Sequence, residues 1–197
     1  MRKLVLVRHS QPEIEPGVPA AKWKLSDLGR RRAESLAAGL RHYRANAIWS
    51  SREPKAKETA QLIGHALGLP FRVTDGLEEH HRRNVPFFQS TQEFERAVEE
   101  FLSQPCRLVL GSETATQARD RVTTAIEAVL EGDNQDAIVV THGTVMALYL
   151  ARIANVEPMS FWRELETPCF VDVEIPQMRV GPIVTCGRAS RSVGRRS

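Results

Sequence analysis

Two histidines each follow a short apolar segment of the chain. His9 comes after residues 3–7 and Arg8, and His142 comes directly after residues 137–141. Both segments contain β-branched residues and are bounded by polar ones, which is typical of buried strands. A neutral imidazole is a good nucleophile toward phosphorus, and phosphoryl transfer otherwise needs mainly positioning and positive charge. Chemistry on a phosphate group is thus one of the functions that such a pair of histidines could perform.

Each histidine also has a plainer interpretation. Taken alone, His9 could be a strand-end residue that satisfies backbone groups, and His142 could cap the helix that starts near Gly143. The pair is more specific, because the start of that helix presents free N–H groups and a positive dipole, which suit a phosphate. A phosphate site requires that both rings meet at one edge of one sheet.

The elements that would position these residues alternate along the chain. Apolar patterns predict strands over residues 3–7, 47–50, 71–74, 137–141 and 170–175, and helices over residues 27–43, 54–67, 91–102, 118–129 and 145–153. Ser26 can cap the first helix, and Gly68 can end the second. The alternation predicts an α/β fold, a three-layer α/β/α sandwich with a mainly parallel central sheet. Ligands of such sheets bind beyond the carboxyl ends of the strands, where both histidines lie. The strand over residues 170–175 alternates apolar and acidic residues, as a half-exposed outer strand would.

Composition limits the classes of protein that need to be considered. The chain has 197 residues, of which 42% are hydrophobic, enough for one domain with a buried core. Its first apolar stretch stops at Arg8, which is too short for a signal sequence, and no stretch is long enough to cross a bilayer. The three cysteines form no Cys-x-x-Cys pair, which favours free thiols in a reducing compartment over a metal site. We therefore expect a cytoplasmic protein that does not bind a membrane.

The positive charge is concentrated at the C-terminus. The net charge is +3, yet five arginines and no acid follow Gln177, and the rest of the chain has a charge of −2. We therefore predict a domain over residues 1–177 and a basic, disordered tail over residues 178–197. The domain itself offers no basic face for specific binding of nucleic acid.

Several short motifs together resemble the histidine phosphatase (phosphoglycerate mutase-like) superfamily. Arg8-His9-Ser10 resembles the Arg-His-Gly signature of that family, with serine in the place of glycine. Four further stretches resemble family motifs in the right order: residues 25–33, residues 50–60, residues 77–79, and residues 139–143 with the second histidine. The resemblance extends from residue 3 to about residue 175. It implies the phosphoglycerate mutase-like fold and a phosphohistidine intermediate on His9.

The resemblance also implies roles for the other matched residues. His142 acts with His9 in catalysis, and a glutamate of the Leu-x-Glu motif protonates the leaving alcohol. Glu79 aligns with that acid, and Glu78 is the alternative. The bound phosphate is expected to contact Arg8, Lys55, Ser10 and Gly143. Positive charge around the phosphate opposes protonation of His9. Side chains supply the cations in this scheme, so no metal and no cofactor is expected.

One substitution departs from the family pattern. Lys55 stands where the family has its second phosphate-binding arginine, and lysine keeps the charge but loses the planar fork. A point charge can still hold a phosphate, so we expect activity to survive. Arg52 is an alternative second cation, although its spacing fits a surface charge equally well. Ser10 is expected to bring a hydroxyl near the phosphate.

A variable segment over residues 75–105 is expected to form a lid over the pocket. Within it, the adjacent histidines His80 and His81 are interpreted as solvated loop residues, because neighbouring residues rarely face one site. Arg82 and Arg83 fit contact with substrate and solvation equally well. Three apolar residues of the segment suggest either a pocket wall or core packing: Val85, Phe87 and Phe88.

The sequence thus predicts a metal-independent phosphatase that hydrolyses phosphomonoesters. Its substrate is expected to be a phosphorylated small molecule or a phosphoprotein, and the oligomeric state is left open. Three alternatives share the same residues: a phosphoglycerate mutase-like phosphotransferase, a phosphohistidine-protein phosphatase, and a phosphate-binding module without turnover. Lys55 is the feature that keeps the last alternative open.

Overall fold

The computed structural model describes residues 1–82, 85, 87–132, 134–186 and 188–189. Its strands are β1 (Arg2–Arg8), β2 (Ala45–Ser50), β3 (Phe71–Val73), β4 (Asp136–Thr141), β5 (Cys169–Ile175), β6 (Arg179–Thr185) and β7 (Arg188–Ala189). Its helices are α1 (Asp27–Leu40), α2 (Pro54–Leu67), α3 (Thr91–Ser103), α4 (Ala115–Glu131), α5 (Gly143–Ala154) and α6 (Pro158–Glu164), with a short 3₁₀ helix over Ala20–Lys22.

All the described strands form one sheet in the order β3-β2-β4-β1-β5-β6-β7. The first four strands in this order are parallel neighbours, whereas β5 is antiparallel to both β1 and β6. Five of the seven described strands, β1–β4 and β6, therefore run in the same direction. The prediction of a mainly parallel sheet is confirmed.

Helices cover both faces of this sheet. Val5 and Val7 of β1 pack in one core with residues of α1 and α2. Leu4 and Leu6, which alternate with them, pack in a second core with residues of α3, α4, α5 and α6. Because successive side chains of a strand point to opposite faces, β1 is buried on both sides. The predicted three-layer sandwich is confirmed. Within the described residues, no helix has the length and apolar character needed to cross a membrane.

The predicted helix ends follow from local chemistry. The side chain of Ser26 accepts a hydrogen bond from the N–H of Gly29 and caps α1. Pro54 begins α2, where its missing N–H costs nothing. Gly68 ends α2 in the left-handed conformation, at φ 69°.

Two predictions about the C-terminal part are wrong. The strand over residues 170–175 is not an outer strand, because β6 pairs along its free edge. Order therefore does not stop at Gln177, since β6 spans Arg179–Thr185 and buries Ile183. The alternation of apolar and acidic residues in β5 has another cause: Asp172 and Glu174 pair with Lys3 on the neighbouring strand. The remainder of the predicted tail, residue 187 and residues 190–197, lies outside the described residues.

Candidate active site

The two histidines meet at the carboxyl edge of the sheet. Arg8 of β1 is in register with Thr141 of β4, so the residues that follow them emerge side by side. The N–H of His9 donates to the carbonyl oxygen of Thr141 at 2.9 Å. The rings of His9 and His142 have centroids 5.0 Å apart and meet edge to face. The expectation that both rings emerge from neighbouring strands and lie close together is confirmed.

The hydrogen bond of His9 determines which of its nitrogens can react. Its Nδ1 lies 2.7 Å from the carbonyl oxygen of Ser10, which can only accept, so Nδ1 carries the proton. Nε2 then keeps its lone pair. Burial lowers the pKa of His9 well below its usual value, and the positive charges of Lys55 and Arg8 act in the same direction. The ring is thus held neutral, and its Nε2 is able to act as a nucleophile.

His142 keeps one nitrogen free for a ligand. Its Nε2 lies 2.9 Å from the hydroxyl of Ser51, the residue that follows β2. Its Nδ1 is buried and has no hydrogen-bond partner among the residues that the structure describes. Burial and the charge of Lys55 lower the pKa of His142 well below its usual value. This neutral ring can donate one hydrogen bond to a phosphoryl oxygen.

Arg8 brings a buried guanidinium to the same place. Its Nη1 donates to the carbonyl oxygen of Leu165, and its guanidinium lies directly against Gly143. Its Nε has no hydrogen-bond partner within the described ranges. An unpaired buried donor is costly unless a ligand satisfies it, so this N–H is available to an anion.

Lys55 lies at the site, but its ammonium is already engaged. The side chain is buried, and its Nζ donates to the carboxylate of Glu53 and, at 2.8 Å, to the carbonyl oxygen of Ala20. Arg52, the alternative cation, instead pairs with Asp75 and Glu78 and has a side chain that is 58% exposed. The structure therefore brings Lys55, and not Arg52, to the histidines.

Glu79 occupies the N-terminus of α5. Its carboxylate accepts hydrogen bonds from the N–H groups of Thr144 at 3.1 Å and Val145 at 3.3 Å. The expectation that this helix start is free for a phosphate is therefore wrong at these two N–H groups. Burial alone would raise the pKa of Glu79, but Arg82, with Nη2 3.5 Å from the carboxylate, and a hydrogen bond from the N–H of His80 bring it far below its usual value. Glu79 is thus a carboxylate in the free protein.

Glu78 has a different environment from its neighbour. Its carboxylate accepts from the N–H of Gly76 at 2.8 Å and pairs with Arg52 at 3.1 Å. These contacts hold the loop together. Between the two candidate acids, Glu79 is the one that the structure brings beside His142.

The hydroxyl of Ser10, which was expected near the phosphate, already has a hydrogen-bond partner. The hydroxyl donates to the carbonyl oxygen of Gly29 at 2.6 Å, and the N–H of Ser10 donates to Thr59 at 2.9 Å. These bonds tie the loop after β1 to α1 and α2. Ser10 therefore positions His9, and its hydrogen is not available to a phosphate.

The loop around Glu79 differs from its prediction at His80, whereas Arg82 takes one of the two places that were left open for it. His80 is buried and stacks on Phe101 with ring centroids 4.3 Å apart, so its interpretation as a solvated residue is wrong. Arg82 lies over the ring of Phe94 at 4.7 Å, and its Nη2 is 3.4 Å from the hydroxyl of Thr144. Its charge is therefore at the site. Arg83 lies outside the described residues.

Among the three apolar residues of the lid segment, two are core residues and one is not. Val85 and Phe88 pack against the core on the α3–α6 side of the sheet. Phe87 is 40% exposed, and its ring centroid lies 6.5 Å from that of Trp23. Core packing therefore accounts for Val85 and Phe88.

An arginine that the sequence analysis missed fixes this loop. Arg121 of α4 donates to the carbonyl oxygens of Gly76 at 2.9 Å, Glu78 at 3.0 Å and Glu79 at 3.2 Å. It also pairs with the buried Glu113 at 2.6 Å. In the sequence, the only sign of this role is that Arg121 lies next to the apolar stripe of α4. Arg121 thus acts on the site through the backbone of Glu79.

Glu53 was also missed. It lies directly before α2, and its carboxylate accepts from the N–H of Glu79 at 3.0 Å. An acid two residues before the lysine of a phosphate motif was the available signal.

Within the described ranges, no three His, Cys, Asp or Glu side chains are grouped as a metal site would need.

Comparison with known proteins identifies the family. The model of the histidine phosphatase superfamily (branch 1) matches residues 4–179, and the chain belongs to this superfamily. This membership, together with the similarity of the chain to phosphoserine phosphatases, confirms the predicted enzyme class, a phosphoric monoester hydrolase.

Two curated relatives come from Hydrogenobacter thermophilus. Phosphoserine phosphatase 1 is 26% identical over 173 residues, covering 82% of this chain and 81% of the relative. Putative phosphoserine phosphatase 2 is 25% identical over 169 residues, covering 82% of this chain and 83% of the relative.

Solved structures share the fold. A mycobacterial glucosyl-3-phosphoglycerate phosphatase superimposes with a TM-score of 0.70 at 20% identity, over 91% of this chain and 96% of that one. A phosphoserine phosphatase from Entamoeba histolytica, in complex with 3-phosphoglyceric acid, superimposes with a TM-score of 0.74 at 16% identity, over 94% and 98% of the two chains. The predicted phosphoglycerate mutase-like fold is thereby confirmed.

Proposed function

We propose that this chain hydrolyses phosphomonoesters of small carboxylic acids through a phosphohistidine on His9. The observation that carries the proposal is the arrangement of the two rings. Nδ1 of His9 donates to a carbonyl oxygen, which leaves Nε2 free, and the ring centroid of His142 lies 5.0 Å from that of His9. The relatives named above act on phosphoserine or glucosyl-3-phosphoglycerate, and both compounds carry a carboxylate besides the phosphate. Arg82 supplies a cation for such a group.

In the first step, Nε2 of His9 attacks phosphorus and the bond to the ester oxygen breaks. Arg8, Lys55 and His142 stabilise the negative charge on the phosphoryl oxygens. The departing oxygen takes a proton from Glu79. Glu79 is a carboxylate before substrate binds, and a bound phosphate brings negative charge that raises its pKa. Protonation of Glu79 is thus coupled to substrate binding.

In the second step, Glu79 is again a carboxylate and works as a base. It takes a proton from a water molecule, whose oxygen attacks the phosphohistidine. The bond between nitrogen and phosphorus breaks, and the electron pair returns to Nε2 of His9. Phosphate leaves, Glu79 releases to solvent the proton that it took from water, and the site returns to its starting state.

The test compares wild type with His9→Ala, using the exposed His65→Ala in α2 as a matched control. Wild type and His65→Ala should release phosphate from p-nitrophenyl phosphate and form an acid-labile phosphoprotein, whereas His9→Ala should do neither. A panel of phosphoserine, 3-phosphoglycerate and a phosphohistidine protein then assigns the substrate. Transfer of phosphate between glycerate positions would indicate a mutase. A wild type that binds phosphate without turnover would instead be a phosphate-binding module.

We also propose that the reaction takes place in the cytoplasm. Cys106, Cys169 and Cys186 are all free thiols, as in proteins of reducing compartments. Localisation of the tagged full-length chain tests this.

A further inference from the structure

Glu53 is a buried carboxylate that the proposed reaction does not use. Its side chain is 8% exposed. One oxygen accepts from Nζ of Lys55, and the other accepts from the N–H of Glu79 at 3.0 Å. The second oxygen also lies 3.7 Å from Nε2 of His142. A negative group thus stands among the residues that would surround a phosphate.

Lys55 is the residue that Glu53 affects most directly. An ammonium has three hydrogens to donate, and two of them are used by Glu53 and by the carbonyl oxygen of Ala20. The charge of Lys55 nevertheless reaches both rings, since it lowers the pKa of His9 and of His142. A phosphoryl group between these rings would therefore meet an ammonium that is already paired with another anion.

We propose that Glu53 competes with the phosphoryl group for Lys55 and so limits the affinity of the site for phosphate. This proposal rests on the proposed function, in which phosphate binds between His9 and His142. With neutral rings, the described residues place three cations around the site, Arg8, Lys55 and Arg82, against the carboxylates of Glu53 and Glu79. Two carboxylates leave a small positive excess, which attracts a phosphate but does not retain it strongly. Glu53 thereby favours release of the product.

The proposed competition predicts the direction in which the Kd of orthophosphate changes when Glu53 loses its charge. Glu53→Gln keeps an oxygen for the N–H of Glu79 and removes the charge. Calorimetric titration with orthophosphate should show a Kd about tenfold or more below that of wild type, because the ammonium of Lys55 is then no longer paired with a carboxylate and can pair with the anion. The inhibition constant of orthophosphate against p-nitrophenyl phosphate should fall by the same factor. Damage to the fold would shift both constants in the opposite direction.

The matched control is Glu58→Gln. Glu58 lies one turn further along α2 and pairs with Arg30 at 2.6 Å, outside the group around His9. Its replacement should leave the Kd of orthophosphate unchanged. The Lys55→Met background provides a second comparison: Glu53→Gln should bring little gain there, since no ammonium remains to be released.

The proposal is overturned if folded Glu53→Gln binds orthophosphate as weakly as wild type or more weakly, or if the gain is equally large in the Lys55→Met background. Should Glu53→Gln fail to fold, Glu53→Asp takes its place. Its carboxylate is one methylene shorter and draws back from Lys55, so a smaller decrease in Kd is expected, and an unchanged Kd also refutes the competition. Titration does not require turnover, so a wild type that binds phosphate without hydrolysis overturns the proposed function separately.

Discussion

The guanidinium of Arg8 occupies the space that a side chain at Gly143 would need. A Cβ atom built on Gly143 would lie 2.8 Å from Cζ of Arg8 and 2.9 Å from its Nε. The last residue of β1 and the first residue of α5 are thus matched in size. Glycine after the second histidine therefore has a steric function besides any contact with phosphate.

Gly143→Ala should displace Arg8 from the phosphate site. We expect kcat/KM to fall by about 10² or more, as it does when a charge-stabilising donor is lost. Gly132→Ala is the matched control, because a Cβ there would come no closer than 3.5 Å to another atom. Steady-state kinetics of both variants measure the effect. Equal activities would show that Arg8 has room to move.

Glu79→Gln should impair catalysis most for substrates with a poor leaving group. An alkyl phosphate needs a proton on its departing oxygen, so kcat should fall by about 10²–10⁴. An aryl phosphate needs this proton less and should lose less. Glu78→Gln, whose carboxylate contacts Gly76 and Arg52, should show a smaller decrease without dependence on the leaving group. The reverse order of the two variants would transfer the acid role to Glu78.

Arg121→Gln should act on Glu79 through the loop backbone. Glutamine is too short to donate to the three carbonyl oxygens that Arg121 holds in place. We therefore expect kcat to fall on the order of 10- to 100-fold while KM changes less, because the acid is misplaced rather than removed. Arg119→Gln, on the same helix and paired only locally with Asp120, is the control. A change confined to KM would argue against the positioning role.

His80 should make the protein sensitive to acid. Burial lowers the pKa of His80 from 6.5 to about 3, and the nearby Arg82 adds to this shift. Below pH 6.5 the unfolded chain takes up a proton that the folded chain does not, so stability is lost as the pH falls from 6.5 toward 3. In His80→Gln, the slope of unfolding free energy against pH should decrease in this window by up to about 1.4 kcal/mol per pH unit. Denaturant titrations of both proteins at several pH values measure this slope.

Truncation after Gln177 should destabilise the protein. The cut removes β6 and leaves an edge of β5 without a partner, so the melting temperature should fall and aggregation should increase. Truncation after Ala189 keeps every described strand and serves as the control. Thermal unfolding of both truncated chains decides the point. A normal melting temperature after the first cut would show that β6 contributes little.

Local patterns were sufficient to predict the elements around the two histidines. β1 and β4 are continuous apolar runs because both of their faces are buried, and α2 begins and ends at Pro54 and Gly68 because these residues have strong backbone preferences. Because β1 and β4 are parallel neighbours, Arg8 at the end of β1 pairs with Thr141 at the end of β4. His9 and His142 could therefore be placed at one edge of the sheet from sequence.

Features that depend on distant partners could not be predicted in this way. β6 contains Gly181 and Pro182, and it becomes a strand because β5 offers an open edge. The seven-residue helix α6 is too short for a clear periodicity. His80 is buried because Phe101 of α3 packs over it, and Glu53 matters because folding brings Lys55 and Glu79 to its two oxygens. These contacts form only when the chain folds, so the spacing of residues along the sequence does not predict them.

The position of β1 in the sheet has a consequence for biosynthesis. Its two neighbours are β4, which starts at Asp136, and β5, which starts at Cys169. Until synthesis passes Asp136, β1 therefore has neither of its two neighbours to pair with, and β2 and β3 can join it only through β4. Such long-range pairing is slow, and an unpaired apolar strand invites association with other chains. His9, the proposed nucleophile, is therefore made long before the strands that hold it in place, and the nascent chain cannot be active until β5 has been made.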